Sequence, residues 1–319
     1  MKITFLFFIT LIIFSCKKEG QLENDIANIN TDIKVERFDR FVAEASLKDF
    51  NKLKQAYPFM FSEKDNDSTW MKTKSDTLQI QLLDEVNKVF GDFNETEIEI
   101  ESLFNHIKYY FPEFNPPRVI TTTSFVDFRN RVFVSDTISV LALDSYLGSD
   151  HEFYINIQKF IAANLKKEQI VVDLAQEYAK KYIYQKQNKT LLDEMIYFGK
   201  QLYFKDVVLP FKTEAERIGY SQDELDWAIA NESLIWRYFV ERELLFSTDS
   251  KLLSRFINPA PFSKFYLEGI DTESPGRIGQ YIGWQIVRAY MEQNDVTLKD
   301  MLTTSVEDIF NNSKFKPRK

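Results

Sequence analysis

Histidine, glycine and cysteine are almost missing from this chain. Among 319 residues there are 2 histidines, 9 glycines and a single cysteine, Cys16. One cysteine cannot form an internal disulfide, a Cys-built zinc finger or an iron–sulfur centre, and it leaves the body without a catalytic Cys–His pair. The two histidines, His106 and His151, are far apart in sequence, whereas a helical zinc site draws two histidines four residues apart. Nine glycines are about 3 % of the chain where roughly 7 % is usual, which argues against Gly-rich phosphate loops. No Gly-x-Ser-x-Gly elbow is present, so a serine hydrolase of that kind is excluded. Basic charge is outnumbered, 40 Lys and Arg against 48 Asp and Glu, and the pI is near 5.1. Such a chain lacks the footprint of a nucleic-acid binder, and no nucleic acid is expected among its partners. What is abundant is aromatic: 29 Phe, 15 Tyr and 4 Trp, too many to stay solvated in a disordered chain.

The one long apolar run is at the start. Residues 1–16 read MKITFLFFITLIIFSC. Lys2 is a short positive region, and the run from Ile3 to Phe14 is too short for a helix that needs about 20 residues to cross hydrocarbon. It has the length of a signal-peptide core. Ile13-Phe14-Ser15-Cys16 at its end resembles the lipobox of bacterial lipoproteins, which makes 1–15 a signal peptide and Cys16 the lipid attachment site. Phe14 is bulkier than is usual at its position. Residues 16–31 are polar and read as a tether. Lys17 lacks the aspartate-type signal that retains lipoproteins in the inner membrane, so the outer membrane is favoured.

The body, 32–319, reads as a single α+β domain, mostly α-helical. Helical spacing and capping pairs mark its helices: Ser46 with Asp49, Thr190 with Asp193, Ser221 with Glu224, Thr297 with Asp300 and Ser305 with Asp308. A small antiparallel β-sheet is expected over about residues 118–143, where Val, Ile, Thr and Phe alternate, with turns near Phe128-Arg129-Asn130 and Ser135-Asp136. Ser274-Pro275 is expected to start a long helix, with serine as N-cap. Gly279 and Gly283, one turn apart on it, predict a close helix neighbour.

Few residues point to chemistry. His106 reads as packed within a helix and His151 as a surface residue in a loop. The paired carboxylates Asp193-Glu194, Glu214 with Glu216 and Asp223-Glu224 read as caps or solvated faces. The loop from Asp271 to Arg277 is the one candidate binding loop, with Asp271, Ser274, Arg277 and Gln280 as its polar groups. Backbone N–H groups at a helix start, with Arg277, suit an anion. The plainer reading, which is favoured, pairs Arg277 with Asp271 or Glu273. Pro259-Ala260-Pro261 with Phe262, Phe265 and Tyr266 would wall a groove beside it.

Several strings are specific enough to carry a resemblance: LLDEMIYFGKQLYFKDVVLP (191–210), ERELLFSTDSK (241–251), RFINPAPFSKFY (255–266), DTESPGRIGQYIGWQIVRAYM (271–291) and LDSYLGSDHEFY (143–154). They resemble the gliding-motility lipoprotein GldB family of Bacteroidetes. The resemblance implies a lipid-anchored envelope protein required for gliding and linked to type IX secretion, with other gliding and secretion envelope proteins as partners. More distantly, the order of elements is similar to a family of predicted zinc metallopeptidases, which implies a metallopeptidase-like scaffold. In that alignment Gln176 and Lys180 stand where two metal-binding histidines would be, Glu177 remains between them, and Phe198 replaces the third ligand. The resemblance therefore implies a pseudoenzyme without metal or other cofactor. Two alternatives stay open: a divergent peptidase with ligands such as Glu177, Glu194 and His151, and a small-molecule- or peptide-binding lipoprotein using the Arg277 loop.

Overall fold

Valine, isoleucine and threonine concentrate between residues 118 and 142, and there the chain forms three of its four strands. The computed structural model describes residues 21–61, 67–187 and 189–319, so the signal peptide and Cys16 lie outside the described residues. Strand β1 is Val35–Glu36, β2 is Arg118–Thr122, β3 is Val132–Val134 and β4 is Ile138–Ala142. Their order across the sheet is β1-β2-β4-β3. β3 and β4 are antiparallel, joined by the expected turn, in which the Ser135 hydroxyl accepts from Ile138 N–H at 3.0 Å. The sheet as a whole is mixed rather than antiparallel. β2 lies parallel to β4, because the β3–β4 hairpin folds back on the outer edge, and β1 adds in parallel on the other side of β2. Two residues are too few for a sequence signal, which is why β1 was not expected. Arg118 fixes its register with a bidentate bond to Glu36, at 2.8 Å on both nitrogens.

The sheet separates two apolar layers. On one side Phe38, Tyr57 and Ile120 are buried with Phe61 and Leu53 around them. Within the stretch 57–61, Tyr57 is buried, Phe61 is half-buried against it and Phe59 is exposed. On the other side lies the main helical core, where the Ser139 hydroxyl on β4 meets the Tyr178 hydroxyl at 2.9 Å.

Seven helices position the cavity described below and brace it. They are α1 (Thr77–Val89), α2 (Asn94–Tyr110), α3 (Ile170–Tyr182), α4 (Leu191–Val208), α5 (Glu214–Ile218), α6 (Gln222–Ala230) and α7 (Ile278–Gln293). α4 and α6 begin at capping boxes on Thr190 and Ser221, as their spacing predicts. α5 has one too, at Thr213 with Glu216, and the αL residue Gly219 closes it. These carboxylates are caps, as read from the sequence. Thr297 and Ser305 cap the two terminal helices. The Ser46–Asp49 pair forms, but the helix after it starts only at Phe50, without a side-chain cap.

The tightest helix contact is α4 against α7. A Cβ on Gly283 would lie 1.8 Å from the Met195 carbonyl oxygen, and one on Gly199 would lie 2.4 Å from the Gly283 carbonyl oxygen. Only glycine at these two positions lets the backbones touch. Gly279 likewise faces the Phe256 carbonyl. The predicted close neighbour is thus α4 at Gly283 and the segment around Phe256 at Gly279.

Two expectations change. Ser274 does not cap α7. It follows a short helix, Ile270–Glu273, and its hydroxyl bonds Ser263 at both the carbonyl (2.9 Å) and the N–H (3.2 Å). α7 begins at Ile278 behind Arg277, which adopts the left-handed conformation with φ 61°. The described part of the segment read as a tether is also not free. Residues 21–27 are helical, and Leu22 and Ile26, four apart, share one face; Ile26 is only 2 % exposed. The Thr31 hydroxyl donates to Asn105 Oδ1 on α2 at 2.8 Å.

Candidate binding cavity

A cavity of about 870 Å³ opens between α3, α4, α5, the start of α7 and the loops 149–164 and 257–260. That volume is within the range of small-molecule sites, roughly 300–1,000 Å³. Its lining joins two groups that the sequence treated separately. Gln176 and Phe198, the degenerate metal positions on α3 and α4, face the same space as Arg277 and Gln280.

Lys205 is part of this lining. It lies about two turns on from Phe198 along the same face of α4, and it is 3 % exposed. Its ammonium donates to Gln176 Oε1 at 2.9 Å and to the Arg217 carbonyl at 3.1 Å. It has no carboxylate in ion-pair contact among the described residues. Burial pushes its pKa down to about 7. The Asp173 charge works against that shift, and Arg277, Lys180 and Arg131 add to it. The sequence did carry a trace of this residue: a lysine seven positions after Phe198, on the same face of α4.

Arg277 does not pair with Asp271 or Glu273. Its guanidinium donates to the Ile218 and Gly219 carbonyls, both at 2.8 Å, and lies over the Tyr220 ring at 5.2 Å. These carbonyls end α5, where the helix dipole attracts a cation. Asp271 accepts instead from Phe265 and Tyr266 N–H at 2.7 and 3.1 Å, and so fixes its own loop. Asp271 and Ser274 are outside the cavity lining; Arg277 and Gln280 are within it. Gln280 donates to the Ile257 carbonyl at 2.7 Å. Of the expected groove wall, Pro259 and Ala260 line the cavity. Phe265 is buried in the core, and Tyr266 is exposed.

Two other cations of the lining are paired. Arg131 holds Asp173 with two bonds, at 2.6 and 2.9 Å, and the Tyr146 hydroxyl donates to the same carboxylate at 2.8 Å. Burial raises the Tyr146 pKa well above its usual value. Arg217 is tied to Asp206 and the Lys212 carbonyl. Asp206 also accepts from Trp284 and from Arg288.

The donor set does not fit a zinc ion. Gln176 is committed to an ammonium, Lys180 is ion-paired with Glu177, and Phe198 offers no donor. Glu177, Glu194 and His151 do not come together: among the described residues no group of three His, Cys, Asp or Glu side chains could hold a metal. His151 is at the cavity, half-buried rather than on the open surface, with Nε2 3.4 Å from Glu85 Oε2. His106 is packed in α2, as expected, its Nδ1 2.7 Å from the Ser102 carbonyl.

Compared with known families, residues 19–317 match the model of a lipoprotein family described as gliding motility protein GldB. The chain belongs to the GldB family. The match runs through every element of the described fold, including both walls of the cavity. No curated protein and no solved structure matches it. No helix among the described residues is long and apolar enough to cross a membrane.

Proposed function

We propose that this GldB-family chain is a lipid-anchored, non-catalytic binding component of the gliding apparatus. Its lipid is carried on Cys16, in the outer membrane, and it works with the type IX secretion machinery. The observation that carries this reading is the match over residues 19–317 to a gliding-motility family, whose description as a lipoprotein family supports a place in the cell envelope. The lipobox ending in Cys16 supports the anchor. Other envelope proteins of gliding and secretion are the partners this reading gives it.

Donor chemistry supports a binding role over a peptidase. The positions that would hold a metal carry an amide bonded to an ammonium, a lysine and a phenylalanine. A lysine ammonium at a metal position repels a cation. The cavity favours a second, compatible reading, in which the chain takes a small molecule or peptide.

The test is to replace the chromosomal copy with a Cys16→Ser variant, then follow membrane fractionation and single-cell gliding. The expected outcome is release of the chain from the membrane fraction and loss of gliding. Unchanged fractionation and normal gliding would overturn the anchored reading.

A further inference from the structure

We propose that the cavity is an anion site, taking a ligand with one carboxylate or phosphate group on Lys205 and Arg277 and an apolar body against Phe198, Ile257 and Pro259. This deepens the binding reading of the same cavity.

Three observations carry it. First, two cations line one cavity without a carboxylate in ion-pair contact among the described residues. Lys205 spends two of its three N–H bonds on neutral oxygens, and Arg277 spends its terminal nitrogens on backbone carbonyls. A buried ammonium without a counter-charge is costly, and an anionic ligand would offset that cost. Of the other basic groups of the lining, Arg131 and Arg217 are paired with Asp173 and Asp206, and Lys159 and Lys166 are more open to solvent than Lys205.

Second, the backbone is built to hold Arg277 where it is. Arg277 has φ 61°, a left-handed conformation that costs a non-glycine residue about 1 kcal/mol or more. A Cβ on the preceding Gly276 would lie 2.1 Å from the Ala260 carbonyl, so the loop 259–260 clamps this turn. The Tyr220 hydroxyl bonds the Gly276 carbonyl from the other side. Third, the rest of the wall is mixed. Phe198, Ile257 and Pro259 give an apolar surface beside the cations, and Gln176 and Gln280 give amides. Gln176 and Gln280 point their bonded ends at Lys205 and at Ile257, which leaves the Gln280 carbonyl and the Gln176 amide nitrogen for a ligand's donors or acceptors.

Binding should be linked to a proton. In the empty cavity Lys205 faces Asp173 on α3, Arg277 at the start of α7, Lys180 on α3 and Arg131 from the sheet edge, and burial holds its pKa near 7. An anion on Nζ raises that value, so above pH 7 the neutral amine takes up a proton on binding and becomes the ammonium.

The experiment is calorimetric titration of the full chain in detergent micelles at pH 8, in two buffers of different ionisation enthalpy. The probes are N-acetyl-L-phenylalanine, phenyl phosphate and the uncharged N-acetyl-L-phenylalaninamide. The expected result is binding of at least one anion, with net uptake approaching one proton, and no binding of the amide. Which anion binds distinguishes a carboxylate source from a phosphate source. Lys205→Met should weaken binding about tenfold or more. Proton uptake is read in the wild-type chain, so it decides the matter even if that variant does not fold. No heat with either anion, equal binding of the amide, or anion binding without proton uptake would overturn the proposal. Because the readout is in vitro, its failure leaves the anchoring test with Cys16→Ser standing.

Discussion

Gly283→Ala should destabilise the chain, although alanine is the better helix former. The added Cβ would lie 1.8 Å from the Met195 carbonyl oxygen and 2.3 Å from its carbon, where ordinary contact begins at 3.4 Å. Both are backbone atoms of α4 and cannot rotate away, so α4 and α7 must separate by about 1.5 Å. The contacts that would open include Tyr281, Ile282, Trp284 and Ile286, each with no exposed surface. A gap of 0.5–1 Å already forfeits a quarter to a half of a dispersion contact, which puts the cost at about 3 kcal/mol or more. Glycine-to-alanine propensity returns about 1 kcal/mol, for a net loss of about 2 kcal/mol or more. At roughly 2–4 °C per kcal/mol for a chain near this size, Tm should fall by about 5 °C. Thermal unfolding followed by circular dichroism reads this directly. Glu292→Ala, on the exposed end of the same helix, is the control and should change stability by less than about 0.5 kcal/mol. A Gly283→Ala Tm equal to or above wild type would refute the backbone contact.

Asp206→Asn should cost about 3 kcal/mol in urea unfolding, because Arg217 and Arg288 would lose the charge that both share at 2.6–3.0 Å; a loss under about 1 kcal/mol would mean that the cluster is not a unit. Stability should rise between pH 7 and pH 9. Burial holds Lys205 and Lys200 at about 7 and about 8, so the unfolded chain binds more protons in that window, and the rise should be smaller in Lys205→Met. A flat profile in the wild type would contradict the burial of both ammonium groups. Glu177→Gln should leave gliding speed and stability unchanged, since its ion pair with Lys180 is a partly exposed pair one turn apart; loss of gliding at normal abundance would restore the peptidase reading.

The legible parts of the fold were those set by local chemistry. Thr190, Ser221 and Ser305 announce helix starts because a hydroxyl reaches an N–H three residues on, whatever the rest of the chain does. The strands after Arg118 were readable for the same reason. Ser274 carried the same local signal, but tertiary contact with Ser263 outbid it. The pairing of β1 joins residues more than 80 positions apart, and the parallel pairing of β2 with β4 joins residues 20 apart across an intervening strand, neither of which a local pattern encodes. The cavity shows both cases. Arg277 and Gln280 were chosen from a loop motif and do line it, though the partner of Arg277 is a helix end nearly 60 residues earlier. Lys205, a buried residue of its wall, was passed over because a lysine on a helix ordinarily points to solvent.

The most direct test of the account is single-cell gliding speed in cells whose only copy carries Lys205→Met, with the amount of the chain in the membrane fraction measured alongside. If the cavity is where this GldB-family protein does its work, gliding falls sharply while membrane abundance stays at the wild-type level. Normal gliding at normal abundance would contradict it and leave the cavity without a part in motility.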